Sequence, residues 1–184
     1  MRRDEALEAR DTPFAEHTIE TLRWMTRTLD ALSIPYQISG GFAAKLYGSP
    51  RPLNDIDIDI PDDAFTEIEP VLRPYLSYGP ARYADAKWDI LLMTADYMGQ
   101  EIDVSGGTSA RMTAKGDREW LESPCDFSRT LRMPVEGVEV SVIHPADLAT
   151  YKSHLNGEHQ AFDVCAARAY ARRIDPASSG SFAE

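Results

Sequence analysis

The segment Asp55-Ile56-Asp57-Ile58-Asp59-Ile60 alternates acidic and branched apolar residues without interruption. Successive side chains of a β-strand point to opposite faces, so this spacing predicts a strand with one apolar face and one acidic face. Burial in a hydrophobic core explains the apolar face. The acidic face needs a separate explanation, because aspartate has a low strand propensity and like charges on one face repel each other.

A bound cation would explain three carboxylates on one strand face, because it reverses the sign of the local electrostatics. Residues two apart on a strand are separated by roughly 6.6 Å at Cα, so neighbouring carboxylates can share metal ions. Asp55 and Asp59 are roughly 13 Å apart, which is too far for one ion. The metal pair is therefore either Asp55 with Asp57 or Asp57 with Asp59. Hard oxygen ligands favour Mg²⁺, which also binds substrate phosphates.

A third acidic ligand is expected from a neighbouring strand. In the segment Glu101-Ile102-Asp103-Val104, the two apolar residues predict a core-facing side and leave both acids on the opposite side. Asp103 is the stronger candidate for this ligand, and Asp89 is a weaker one. For both residues, an ion pair with Arg82 or Lys87 is the alternative interpretation.

Around these strands, the pattern predicts a single α+β domain at residues 14–174, in which helices flank a mixed β-sheet. Gly40-Gly41 follows a short strand and precedes a short helix at 42–47. The other predicted elements are a helix at 14–32, a helix capped by Pro61-Asp62-Asp63 and ending near residue 72, a strand at 75–78, hairpins at 88–105 and 131–143, and C-terminal helices at 147–155 and 158–173. We expect flexible tails at 1–13 and 175–184.

The overall charge restricts the class of partner. The formal net charge of the 184-residue chain is −11, which argues against a broad, non-specific nucleic-acid surface. There is no run of about 18 apolar residues, so no membrane segment is expected. The N-terminal sequence MRRDEALEARD lacks the apolar segment of a secretory signal, which predicts a cytoplasmic protein.

Gly40-Gly41, followed after thirteen residues by Asp55-Ile56-Asp57-Ile58, resembles the signature of the nucleotidyltransferase superfamily, whose fold is that of DNA polymerase beta. The resemblance implies that Gly40, Gly41 and the following helix start bind nucleotide phosphates, which a helix N-terminus suits. It also implies that Asp55 and Asp57 bind two Mg²⁺ ions, and that the third acid, Asp103, is a ligand or base. Arg51 matches many members and would neutralise phosphate charge. Asp59 would then contact the acceptor or be solvated.

The segment at residues 143–152 is similar to the C-terminal helix of abortive-infection and type IV toxin nucleotidyltransferases, and of related antibiotic-modifying enzymes. This resemblance implies that Lys152 faces the nucleotide and that Asp163 is the acid on the next helix. A solvated helix lysine is the alternative interpretation of Lys152.

The resemblance implies a Mg²⁺-dependent enzyme that transfers a nucleoside monophosphate from an NTP, with ATP expected, to an acceptor hydroxyl and releases pyrophosphate. The acceptor is left open between the end of a tRNA, as in toxin-like members, and a small molecule such as an aminoglycoside. A cognate antitoxin is a possible partner of a toxin-like member. The alternative hypothesis is a non-catalytic module of the same fold that binds a nucleotide or a regulatory partner.

Overall fold

The computed structural model describes residues 14–114 and 119–175. The tail predicted at 1–13, and the other predicted tail from residue 176 onward, lie outside the described residues. None of the helices in the two described ranges has the length and apolar composition that crossing a bilayer requires. The elements are, in chain order, α1 (Glu16–Ala31), β1 (Gln37–Ile38), α2 (Gly40–Leu46), β2 (Asp55–Ile60), α3 (Phe65–Leu72), β3 (Leu76–Ala84), β4 (Trp88–Tyr97), β5 (Gln100–Gly106), β6 (Arg111–Thr113), β7 (Trp120–Glu122), β8 (Leu131–Val135), β9 (Val138–Val142), α4 (Pro145–Ser153) and α5 (Gln160–Ile174).

The strands form one mixed sheet in the order β7-β6-β4-β5-β2-β1-β9-β8, and β3 pairs with β4. β2 runs parallel to β5 and antiparallel to β1, and β1 in turn runs parallel to β9. Antiparallel hairpins join β4 to β5 and β8 to β9. The predicted α+β class with a mixed sheet is confirmed, and the acidic strand β2 lies in the interior of the sheet.

The apolar face of β2 is part of the hydrophobic core. Ile56, Ile58 and Ile60 are fully buried, as the alternation predicts. The apolar stripe of α1, which includes Leu22 and Leu29, is buried in the same core, and α1 contacts β5 and β9. Burying one such side chain contributes about 1.5–3 kcal/mol. A shift of β2 by one residue would bury the aspartates and expose the isoleucines, so packing fixes the face that the acids occupy.

Three strands differ from the sequence prediction. β3 has nine residues rather than the predicted stretch at 75–78, and β6 and β7, of three residues each, are not predicted at all. β3 is mostly exposed and β7 is wholly exposed, so neither shows the alternation that burial of one face imposes on a sequence.

The helical stretch after β2 begins where it is predicted, but Pro61-Asp62-Asp63 supplies no side-chain cap. The 3-10 turn Asp62–Ala64 and the helix α3 that follows it both lack a side-chain cap. The Asp62 carboxylate instead accepts hydrogen bonds from the backbone N–H of Thr108, at 2.8 Å, and from the hydroxyl of Ser109. This carboxylate therefore fixes the loop that follows β5.

Candidate active site

Three carboxylates, from Asp55, Asp57 and Asp103, meet on the acidic face of the sheet, and we refer to them as the acidic triad. Parallel pairing of β2 with β5 places Asp57 directly opposite Asp103. Each residue offers a carboxylate oxygen, and these oxygens all lie within 4.8 Å of one another. Of the two pairings that the sequence leaves open, the structure brings Asp55 and Asp57 together with Asp103.

The triad concentrates negative charge, and the described part of the chain supplies no ion partner for it. No Lys or Arg in the described ranges forms an ion pair with any of its three members. Burial, followed by the charge of Asp55, raises the pKa of Asp57 to about 7. Burial and Asp55 also raise the pKa of Asp103, although the Thr94 hydroxyl donates a hydrogen bond to its carboxylate at 2.6 Å. An all-oxygen donor set of this charge fits Mg²⁺, which would hold all three carboxylates in their ionised form.

Gly40 and Gly41 form the first turn of α2, which we call the glycine turn, and this turn contacts the carboxylate of Asp57. Gly40 has a φ of +56°, and a Cβ at this position would lie 1.6 Å from Asp57 Oδ2. The backbone N–H of Gly41 donates to the same oxygen at 3.2 Å, and the N–H of Gly40 donates to the Tyr151 hydroxyl at 3.0 Å. Both amides of the turn thus have partners within the chain. Binding of nucleotide phosphates by Gly40 and Gly41 stays a prediction.

Asp59 lies outside the acidic triad. Its carboxylate accepts a hydrogen bond from the Gln37 side-chain amide at 2.8 Å. Burial raises the pKa of Asp59, while hydrogen bonds from Gln37, Ser39 and Cys125 oppose the increase. Asp59 therefore lies beside the triad on the same strand but has its own set of polar partners.

A cavity of about 580 Å³ opens next to the triad. This volume is in the range of cavities that enclose small molecules. Of the described residues that line it, Arg129 is the one with a positive charge, and Arg129 is paired with Asp147 at 2.9 Å. The acidic and aromatic residues of the lining are Asp57, Asp59, Asp103, Asp126, Asp147, Tyr83, Trp88 and Tyr151. The cavity is therefore acidic with aromatic walls.

Arg51 and Lys152 form a separate group with Ser49 and Asp163, and we refer to these four residues as the buried ion cluster. Asp163 is fully buried and Lys152 is 4% exposed. Lys152 Nζ lies 2.8 Å from Asp163 Oδ2, Arg51 pairs with the same oxygen, and the Ser49 hydroxyl donates to Oδ1 at 2.6 Å. Burial alone would raise the pKa of Asp163, but the hydrogen bonds from Lys152 and Ser49 lower it overall.

The structure thus joins Arg51 and Lys152 to Asp163 and not to the acidic triad. Neither cation is among the residues that line the cavity. Because Lys152 is buried, its interpretation as a solvated helix lysine is wrong. The predicted contacts of Arg51 and Lys152 with nucleotide phosphates stay predictions.

Asp89, the weaker candidate for the third ligand, forms ion pairs instead. Its carboxylate contacts the guanidinium groups of Arg82 and Arg111. Hydrogen bonds from these two arginines lower the pKa of Asp89 to about 2. The alternative interpretation of this residue is confirmed for Arg82.

Sequence reasoning missed Tyr151 and Thr94, which both contact site residues. Thr94 faces Asp103 across the β4–β5 hairpin, and Tyr151 reaches Gly40 from α4. The register of the predicted hairpin could have identified Thr94. For Tyr151, its position one residue before Lys152 was the available signal.

No protein-family model and no curated protein sequence matches the chain. Solved structures that are similar to it in fold include three that match most of the chain. A candidate nucleotidyltransferase from Thermotoga maritima has a TM-score of 0.57 and 20% identity, and the match covers 72% of this chain and 83% of that chain. The lincosamide antibiotic adenylyltransferase LnuA, in its lincomycin-bound form, has a TM-score of 0.55 and 12% identity, with 82% and 96% covered.

The third structure is ANT(2'')-Ia in complex with adenylyl-2''-tobramycin. It has a TM-score of 0.51 and 14% identity, and the match covers 85% of this chain and 98% of that chain. In all three cases the match spans most of both chains, although few residues are identical. Together with the glycine turn, the acidic strand and the third acid on β5, these likenesses show that the chain has the nucleotidyltransferase fold.

Proposed function

We propose that this protein transfers a nucleoside monophosphate from an NTP to a hydroxyl group of a small, positively charged acceptor and releases pyrophosphate. The observation that carries this proposal is the acidic triad, three carboxylates without a cationic partner among residues 14–114 and 119–175, beside an acidic cavity of about 580 Å³. ATP is the proposed donor, because two of the similar structures are named for adenylyl transfer or contain an adenylylated product.

Asp55, Asp57 and Asp103 would hold Mg²⁺, with two ions proposed from the family resemblance. When bound, the metal would neutralise the charge of the triphosphate and of the leaving pyrophosphate. Asp103, which lies opposite Asp57 on β5, would also accept the proton of the acceptor hydroxyl. The acceptor oxygen then forms a bond to the α-phosphorus, while the bond between this phosphorus and the oxygen that bridges to the β-phosphate breaks. That bridging oxygen leaves as part of pyrophosphate.

The charge of the cavity supports a cationic small molecule as the acceptor. The described part of its lining has five carboxylates and one arginine, which is already paired, so it attracts ammonium groups and repels phosphates that no metal neutralises. Among the similar structures, LnuA has lincomycin bound and ANT(2'')-Ia is in complex with adenylyl-2''-tobramycin. The tRNA acceptor and the antitoxin partner stay predictions of the sequence resemblance.

A labelled-nucleotide assay tests the proposal. Purified protein is incubated with Mg²⁺ and each α-³²P NTP in turn, and hydroxylated polyamines such as aminoglycosides are compared with neutral sugars and with tRNA. We expect label on a cationic small molecule with the wild type and none with Asp57→Asn. Label on tRNA alone would contradict the proposed acceptor class. The absence of label in every mixture would favour the non-catalytic module.

A further inference from the structure

Tyr151 places a hydroxyl group between the glycine turn and the cavity. The residue lies on α4, and its hydroxyl accepts a hydrogen bond from the Gly40 N–H at 3.0 Å. Its side chain lines the cavity, where the ring meets the edge of the Trp88 ring at a centroid distance of 6.3 Å. The hydroxyl thus lies at the same turn that holds the carboxylate of Asp57.

The proton of this hydroxyl is available for a ligand. A tyrosine hydroxyl can accept and also donate one hydrogen bond. Within residues 14–114 and 119–175, the hydrogen bond of the Tyr151 hydroxyl is the one that it accepts from Gly40, so no group there accepts its proton. Burial and the charges of Asp57 and Asp59 raise the pKa of Tyr151 well above its usual value, so the hydroxyl keeps its proton.

The buried ion cluster fixes the part of α4 that carries Tyr151. Lys152, the next residue along α4, is paired with Asp163 of α5 at 2.8 Å, and its Nζ lies 5.9 Å from the centroid of the Tyr151 ring. The hydrogen bond from Gly40 fixes the other end of the side chain. A donor whose ring and oxygen are both held needs little reorganisation when substrate binds.

We propose that Tyr151 is a catalytic residue, whose hydroxyl donates a hydrogen bond to a non-bridging oxygen of the phosphoryl group during its transfer. This inference rests on the proposed nucleotidyl transfer. The Gly40 N–H polarises the hydroxyl and makes it a stronger donor, because linked hydrogen bonds strengthen one another. The tyrosine proton is not transferred. It stabilises the negative charge on the phosphoryl oxygens beside Asp57. A cationic acceptor presents mainly hydrogen-bond donors, which match the Asp59 carboxylate better than a hydroxyl that has a proton to donate.

The test compares Tyr151→Phe, which keeps the ring and removes the hydroxyl, with the control Tyr47→Phe. Tyr47 is also a buried tyrosine with a backbone partner, since its hydroxyl donates to the Ile143 carbonyl, but it does not line the cavity. Three quantities are measured for each protein: kcat and KM of transfer, the melting temperature, and the Mg²⁺-dependent affinity for α,β-methylene-ATP by calorimetry.

We expect Tyr151→Phe to lower kcat by about 10- to 100-fold, which is the usual effect of removing one donor to developing charge. Its affinity for the ATP analogue should stay within about 3-fold of the wild type, and Tyr47→Phe should keep kcat. An active wild type with an equally active Tyr151→Phe would overturn this inference alone. An unchanged kcat with only a higher KM for the acceptor, or with only a weaker affinity for the ATP analogue, would overturn it as well. A wild type inactive with every acceptor would overturn the proposed function and this inference together.

Discussion

The acidic triad and the buried ion cluster both contain aspartates within the fold. Among the described residues, only the aspartate of the buried ion cluster has cationic partners. Asp163 has Lys152 and Arg51 as ion partners and a hydroxyl donor in Ser49, and its pKa is lowered. Burial, followed by the like charge of Asp55, raises the pKa of Asp57 to about 7. The two sites thus place the same side chain in opposite electrostatic environments.

This difference separates a structural carboxylate from a functional one. A buried charge that the protein pairs internally is complete as it stands, and removing a partner leaves the other charge uncompensated. Clustered acids that the protein leaves unpaired are costly until a cation arrives from outside. We therefore propose the acidic triad as the site for an external cation, whereas the buried ion cluster joins α4 and α5 to the segment around Arg51.

The largest effect is expected when Asp163 is replaced by Asn. This change leaves Lys152 buried without an anionic partner, so we expect the free energy of unfolding to fall by about 3–5 kcal/mol. Ser49→Ala is the matched control, because it removes one hydrogen bond to Asp163 and keeps both ion pairs, at a cost of about 1 kcal/mol. Urea denaturation measures both values. Equal losses in the two variants would show that the ion pairs add nothing beyond hydrogen bonding.

Sequence reasoning reached the acidic triad because its signal is local. The alternation of β2 is visible within six residues, and it fixes both the strand and the face on which the aspartates lie. Asp103 could be predicted because it lies between apolar residues in the same way. The register that places Asp103 opposite Asp57 joins distant segments and depends on packing of the whole sheet, so no local pattern contains it.

The partners of the cations could not be predicted in the same way. Arg51 and Lys152 are visible as charges, but the group that neutralises each is set by how α5 packs, which brings Asp163 to both. The resemblance named Asp163 without indicating this contact. The position of Tyr151 beside Lys152 does not by itself separate it from a core aromatic, because its contact with Gly40 depends on how α4 packs against the glycine turn.

A second test concerns the two glycines that support the triad. A methyl group at Gly40 would overlap the Asp57 carboxylate, and its φ of +56° is unfavourable for other residues, so Gly40→Ala should cost on the order of 2–3 kcal/mol. A Cβ at Gly41 meets no atom within 4 Å, so Gly41→Ala should be neutral or stabilise α2 by up to about 1 kcal/mol. Thermal unfolding gives both values. If Gly40→Ala and Gly41→Ala change the stability by the same amount, Gly40 does not support the carboxylate of Asp57.

The smallest expected change in stability is an increase, and it tests the unpaired carboxylates of the acidic triad directly. In the absence of divalent ions at pH 8, Asp57→Asn should raise the free energy of unfolding by about 1–2 kcal/mol, because it removes a charge that the fold disfavours. The pKa of Asp57 is about 7 in the folded protein and roughly 3.9 in the unfolded chain, so the folded protein binds the additional proton between these values. Wild-type stability therefore rises as the pH falls from 8 through 7, and the advantage of the variant shrinks.

Mg²⁺ should make the wild type more stable than Asp57→Asn, which reverses the order expected without the ion. The ion binds the ionised carboxylates of the wild type and stabilises the folded state, whereas Asp57→Asn has lost one ligand and should respond little. Because protons compete with the ion for Asp57, the stabilisation of the wild type by Mg²⁺ should be larger at pH 8 than at pH 6. Thermal unfolding at both pH values, with and without Mg²⁺, measures this difference. A variant that gains as much from Mg²⁺ as the wild type would place the cation away from Asp57, and the contrast between the two sites would then no longer identify the functional one.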